Sequence, residues 1–368
     1  MRSLIPVSSP LIDTSDIDSV TKALKDGQIS GSSPIVSKFE RQFADYVGCE
    51  YAVAVSNGTS ALELALRVTD IGPGDEVILP TFAIISVLLA VKKIGATPIF
   101  VDCDAMHWNS VPEEIIASIT PKTKAIIVVH TYGLPVDMDP IISHIKDTGI
   151  KLIEDASEAH GLEYKDRRCG SFGFISTFSF YANKHVTSGE GGMILTNSES
   201  LASRMKYLSN LAMNPVRRFM HSEFGENFRL GGLQAALGIS QLNKVDSTRQ
   251  LKRHIAEEYN SQLMHVTNLG IPVERLSYAT NDYWVYGVVP KVSSERSVEI
   301  QLSLLKSGIE TRPFFYPLHQ QPCNNLNSPR GEFPNASWLA DRGFYLPTPL
   351  DLSEKEIDYI CKQLINLL

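Results

Sequence analysis

The chain has 368 residues, 43% of them hydrophobic and 20% charged, a balance that allows a sizeable core in a large soluble protein. No apolar run approaches the ~20 residues of a membrane-spanning helix. The formal net charge is −7 and the basic residues are spread out, with Arg167-Arg168 and Arg217-Arg218 among a few isolated pairs, so nucleic acid meets no broad attraction.

The first ten residues, Met1 to Pro10, carry one positive charge and short apolar pieces broken by Pro6. They make a poor secretory signal, and the expected compartment is the cytoplasm. Strands are expected at 51–55, 76–79, 98–101, 125–129, 151–154, 177–180 and 193–196, and helices between them at 60–68, 83–94, 112–119 and 140–147. The strand runs are nearly continuous in Val, Ile, Ala and Phe, as in strands covered by helices on both faces, and the alternation predicts a mostly parallel sheet in an α/β fold. From about Leu233 the pattern changes to longer helices, 233–242 and 248–264, then a strand-like 283–289 and helices at 295–307 and 354–367. Residues 317–336, rich in Pro, Asn and Gln, read as a loop. The change divides the chain at Ser247 into a large domain, 1–247, and a smaller α+β domain, 248–368.

Five cysteines, Cys49, Cys103, Cys169, Cys323 and Cys361, are odd in number and far apart, and read as free thiols in a reducing compartment. His130, His160 and His185 each fall near a strand end, where a structural hydrogen bond is the expected role, and nothing calls for a metal.

Chemistry concentrates in three segments. In Ser176 to Gly192, a β-rich run leads to Lys184, which Gly189, Gly191 and Gly192 follow in a turn; such a setting suits a buried amine that forms an imine, although lysines beside turns are also common on surfaces. In Lys151 to Gly161 a short apolar strand ends in Glu154 and Asp155, the usual place for site residues in a parallel sheet. Pyridoxal 5'-phosphate (PLP) needs an amine for its aldehyde and a carboxylate for its pyridine nitrogen, and Lys184 and Asp155 fit those needs. In Tyr51 to Leu66 a buried strand, a Ser-Asn-Gly-Thr turn and a helix follow one another, so Gly58 and Thr59 could meet a phosphate at a helix start. A plain helix N-cap remains the other reading of that turn.

Together these segments resemble the DegT/DnrJ/EryC1/StrS sugar aminotransferases among fold-type I PLP enzymes. Further marks are Gly27-Gln-Ile-Ser-Gly31, Phe39 to Gly48, Gly74 to Phe82 and Asn227-Phe-Arg-Leu230, so the resemblance runs over nearly the whole chain. It implies a fold with a large mostly parallel-sheet α/β/α domain and a smaller α+β C-terminal domain. Lys184 would be the Schiff-base lysine, Asp155 the partner of the ring nitrogen and Glu158 the neighbour of the ring hydroxyl, where many relatives have Gln. Ser179 would join Gly58 and Thr59 at the phosphate. Asn227 would reach the phosphate in the neighbouring subunit, which implies a homodimer with shared sites. Substrate contacts would come from Gln28, Ser30, Arg229, Arg312 and His319. For Arg217, Arg218, Arg229 and Arg312 alike, a solvated or structural role stays open.

One departure stands out: relatives often carry an aromatic residue four positions after Pro80 to stack on the pyridine ring, and here that residue is Ile84. Gly308 to His319 is similar to the matching segment of GDP-perosamine synthases, which aminate C4 of GDP-4-keto-6-deoxy-D-mannose. The activity implied is a two-stage transamination from L-glutamate to a nucleotide-linked 4-keto-6-deoxy sugar for surface polysaccharide. The cofactor would alternate between PLP and pyridoxamine 5'-phosphate. Three alternatives remain. They are an aminotransferase acting at C3 or C4 of a dTDP- or UDP-ketosugar, a pyridoxamine-dependent sugar dehydratase, in which histidine typically replaces the lysine, and a non-catalytic regulator.

Overall fold

The computed structural model describes residues 4–324 and 331–368. Its main sheet is built from β1 (Tyr51–Val55), β2 (Glu76–Pro80), β3 (Thr97–Val101), β4 (Thr123–Val129) and β5 (Lys151–Asp155). A small ribbon of β6 (Glu163–Tyr164) and β7 (Arg167–Arg168) follows, then β8 (Ile175–Ser179) and β9 (Gly192–Thr196) return to the sheet. The seven strands lie in the order β1-β9-β8-β5-β4-β2-β3. The pairs β2–β3, β2–β4, β4–β5 and β5–β8 are parallel, and β9 runs antiparallel to both neighbours. The reversal follows from the connection: no helix lies between Ser179 and Gly192, and a parallel return needs a crossover.

Successive residues of a strand face opposite sides, so each strand feeds two cores. Val77 and Leu79 pack on one face with Leu62, Leu66, Val87 and Val91 of the helices Gly58–Arg67 and Ile85–Lys93. Ile78 and Phe178 pack on the other with Phe39, Phe43, Ile141 and Ile239. The helices Thr14–Lys25 and Pro34–Val47 lie in stretches where no helix was expected. Their signals were present: a reciprocal Asp13–Asp16 capping box opens the first, and Pro34 occupies the first turn of the second.

The smaller sheet takes β10 (Leu269–Gly270), passes the hairpin of β11 (Arg275–Leu276) and β12 (Ala279–Thr280), and adds β13 (Tyr286–Pro290), β14 (Arg312–Pro313) and β15 (Phe344–Leu346). Its order is β10-β13-β15-β14, all antiparallel. Ile255 and Tyr259, Ile300 and Leu304, and Ile357 and Ile360 of the helices Val245–Leu263, Ser294–Lys306 and Glu354–Leu367 cover it. The proposed division at Ser247 falls in the first turn of Val245–Leu263. The expected loop at 317–336 contains a short 3-10 turn, Leu318–Gln320, and the start of the helix Pro334–Arg342; its residues 325–330 lie outside the described residues. No described helix is long and apolar enough to cross a membrane.

Candidate active site

The carboxyl ends of the parallel strands open onto one cavity of about 440 Å³. Each strand delivers its part just past its last residue: Gly58 and Thr59 after β1, Ile84 after β2, Asp155 and Glu158 at and after β5, and Ser179 and Lys184 at and after β8. Ligands gather at this edge of an α/β sheet because the loops there are free of the ladder. Arg312 and Tyr345 of the smaller sheet close the opposite wall, with Phe315 and Trp284.

Lys184 is nearly enclosed, its side chain 9% exposed. Its Nζ lies 3.7 Å from Glu158 Oε1 and 3.6 Å from the centroid of the Trp284 ring. Burial pushes the amine's pKa down, and the Glu158 and Asp155 charges oppose that shift. Burial likewise raises the Glu158 carboxyl to about 7, against the Lys184 charge and the Tyr132 N–H, which donates to Oε2 at 2.8 Å. Asp155 accepts from the Ser157 N–H at 3.1 Å, yet its burial still pushes its pKa up. A carboxylate left in that state gains from any cation brought beside it.

The helix Gly58–Arg67 begins at the cavity wall, with Asn57 Oδ1 capping Ser60 N–H at 2.8 Å. A Cβ on Gly58 would lie 2.8 Å from the Ser179 Cβ, so only glycine lets the helix start and β8 come this close. The free N–H groups and positive dipole end of the helix make that wall a seat for an anion.

The DegT/DnrJ/EryC1/StrS aminotransferase family model matches residues 10–365. This chain belongs to that family. The GDP-perosamine synthase of Escherichia coli O157:H7 is 38% identical over 361 residues, 98% of this chain and 97% of the relative. The GDP-perosamine synthase of Caulobacter vibrioides is 37% identical over 365 residues, 99% of this chain and 98% of the relative. The fold is similar to that of Spr1654 from Streptococcus pneumoniae in its PLP form, with TM-score 0.93 and 26% identity over 99% of this chain and 98% of that one. As a DegT-family sugar aminotransferase the chain is a PLP-dependent transaminase.

The cavity fits that cofactor. Its volume suits a substituted pyridine with room for a substrate. The buried Asp155 carboxylate offers a partner for a protonated ring nitrogen, the Gly58 helix start a seat for a phosphate, and Lys184 an amine with a lowered pKa.

Five of the expected site residues stand outside this cavity. Asn227 and Arg229 are exposed and bonded to each other, Arg229 Nε and a terminal guanidinium nitrogen donating to Asn227 Oδ1 at 3.0 and 2.8 Å. Arg229 lines a second cavity of about 350 Å³ with Gly31, Lys206 and Arg218. Gln28 Oε1 accepts from the Ile35 N–H at 3.0 Å, and the Ser30 hydroxyl pairs with that of Ser32. His319 Nδ1 pairs with Thr81 Oγ1 at 2.6 Å, and its ring packs on Phe333.

Among the histidines, His130 meets the expectation: it bonds Glu154 at 2.9 Å and receives the Val136 N–H. His160 instead packs among Phe43, Phe178 and Phe180, where burial drops its pKa to about 3 and keeps the ring neutral. His130, Glu154 and Cys169 come close enough to hold a metal, but Glu154 already accepts from His130, Gly170, Phe172, Gly173 and Ser176, so its oxygens are occupied. Trp284, Tyr132 and Lys252 were not among the residues expected from the sequence. Trp284 sits in a strand-like apolar run, Tyr132 in the His-Thr-Tyr-Gly turn just past β4 and Lys252 in a polar helix, with no local pattern to separate them from ordinary core and surface residues.

Proposed function

We propose that the chain transfers the amino group of L-glutamate to C4 of GDP-4-keto-6-deoxy-D-mannose, making GDP-perosamine for surface polysaccharide. The observation that carries the catalytic part is the nearly enclosed Lys184 amine 3.7 Å from Glu158, on a cavity that also holds buried Asp155. The similarity to two GDP-perosamine synthases over nearly the full length supports the choice of sugar. Bound in this cavity, PLP supplies an aldehyde that links to amines and a ring that accepts the electrons left when a neighbouring C–H loses its proton.

Lys184 is both the amine that holds the cofactor and the base: Nζ takes the proton from the donor's α-carbon and returns one in the second stage. The lowered pKa favours the neutral amine that this task needs. Asp155 holds positive charge at the ring nitrogen, and Glu158 faces the ring hydroxyl. Gly58, Thr59 and Ser179 grip the phosphate, with Thr59 Oγ1 oriented by Ser86 Oγ at 2.7 Å. Arg312 offers a guanidinium at the rim to a carboxylate or diphosphate. Asn227, Arg229, Gln28 and Ser30 act across a homodimer, on the partner's cofactor and substrate.

The test is a panel of GDP-, dTDP- and UDP-linked ketosugars with glutamate, reading 2-oxoglutarate release and the amino sugar by mass and NMR. GDP-4-keto-6-deoxy-D-mannose should be the best substrate and yield the 4-amino product. Preference for a dTDP- or UDP-ketosugar would reject the sugar assignment and leave the transaminase standing.

A further inference from the structure

Trp284 lies two residues before β13 of the smaller sheet, a hundred residues from Lys184 in sequence, yet its ring centroid lies 3.6 Å from Lys184 Nζ. The ring is locked in place. Its Nε1–H donates to the Asn183 carbonyl at 2.9 Å, next to the lysine it faces. Its own carbonyl accepts from Lys252 at 3.3 Å, and the same amine grips Thr348 O and Oγ1 at 2.7 and 2.9 Å. The backbone of Gly133 lies so close that a Cβ there would come within 2.6 Å of the Trp284 nitrogen. Trp284 is 5% exposed, so water does not dilute the contact.

We propose that Trp284 is a positioning residue whose indole face is the seat of the Lys184 amine whenever that amine is not bonded to cofactor. The inference rests on Lys184 being the reactive amine. A lysine released in each half of a transamination has to stay near the reacting carbon and hold its proton, and a desolvated indole face attracts an ammonium. Glu158, at 3.7 Å, faces the same amine from the other side. The other titratable groups that act on it are Asp155 and His160, with Glu190, Tyr181, Arg312 and Tyr345 further out on the cavity wall.

The test titrates the amine in cofactor-free protein by trace acetylation with acetic anhydride across pH, read at the Lys184 peptide by mass spectrometry. Lys22, whose side chain is 78% exposed, is the internal reference. Trp284→Leu keeps the site apolar and removes the face, so the Lys184 midpoint should fall by about one pH unit while Lys22 stays put. Uniform incorporation of benzo-fluorinated tryptophan keeps the ring and weakens its face, and should give a smaller fall; this protein decides the matter if the leucine variant does not fold. An unchanged Lys184 midpoint in the fluorinated protein, or in a folded leucine variant, overturns the inference. Borohydride trapping of wild type with PLP checks the other reading separately: modification of a lysine other than Lys184 would remove the reactive-amine assignment, whatever the midpoints show.

Discussion

Ile84 stands at the mouth of the cavity, 42% exposed, where the family resemblance places an aromatic ring. An aliphatic side chain there covers a pyridine ring without the offset stacking of an aromatic pair. Ile84→Tyr should therefore tighten PLP roughly two- to tenfold, the equivalent of about 0.5–1.5 kcal/mol of stacking. Titration of cofactor-free protein, followed by the absorbance of the bound form, measures this; equal or weaker affinity in the variant would show that the wall is shaped for the aliphatic residue. That Lys184, Asp155 and Gly58 would meet was legible because each lies within a few residues of a strand end, while Ser179 entered only through the family resemblance; all four line one cavity. Glu158 was expected beside the cofactor through the resemblance, but its raised pKa was not legible, because the burial that raises it and the Lys184 charge that opposes the rise exist only in the fold.

At the scale of elements, Lys252 shows how the smaller sheet is tied to the site. It projects from the helix Val245–Leu263, is fully enclosed, and bonds only neutral oxygens of Trp284 and Thr348. Burial alone lowers its pKa from 10.5 to about 7. Between those values the unfolded chain binds the proton that the folded chain releases, so this lysine's penalty is absent above pH 10.5 and grows as pH falls toward 7. Wild type should accordingly gain stability relative to Lys252→Met between pH 7 and pH 10, by a few kcal/mol at most. Urea unfolding of both proteins at the two pH values measures the difference, and a flat difference would mean that Lys252 stays charged in the fold. The seven strands of the main sheet were legible to within about two residues because buried strands covered on both faces are continuous apolar runs, whereas most short strands of the smaller sheet were not. The antiparallel direction of β9 and the first two helices were not expected, although the missing crossover helix and the helix-start residues Asp13 and Pro34 were there to see.

Across the whole molecule, Asn227, expected to reach the partner's cofactor, and Arg229, an expected substrate contact, are separated from the Lys184 cavity of their own chain, and Arg229 borders a different one. A shared site in a homodimer accounts for that separation and makes a direct prediction. Lys184→Ala and Asn227→Ala should each lack activity alone, yet mixing them with subunit exchange should restore about a quarter of wild type, because half of the dimers would carry one intact site of two. Activity measured before and after exchange decides it, and no recovery would mean that each chain completes its own site. The sequence by itself determined the class of the enzyme, its cofactor and the order of its strands' contributions, since these depend on short segments whose chemistry is local. Only the tertiary structure decided what surrounds the Lys184 amine. Tyr132 reaches Glu158 from the end of β4, and Trp284, held from behind by Lys252, reaches Lys184 when the two sheets pack together; that proximity and burial set the charge state of the site.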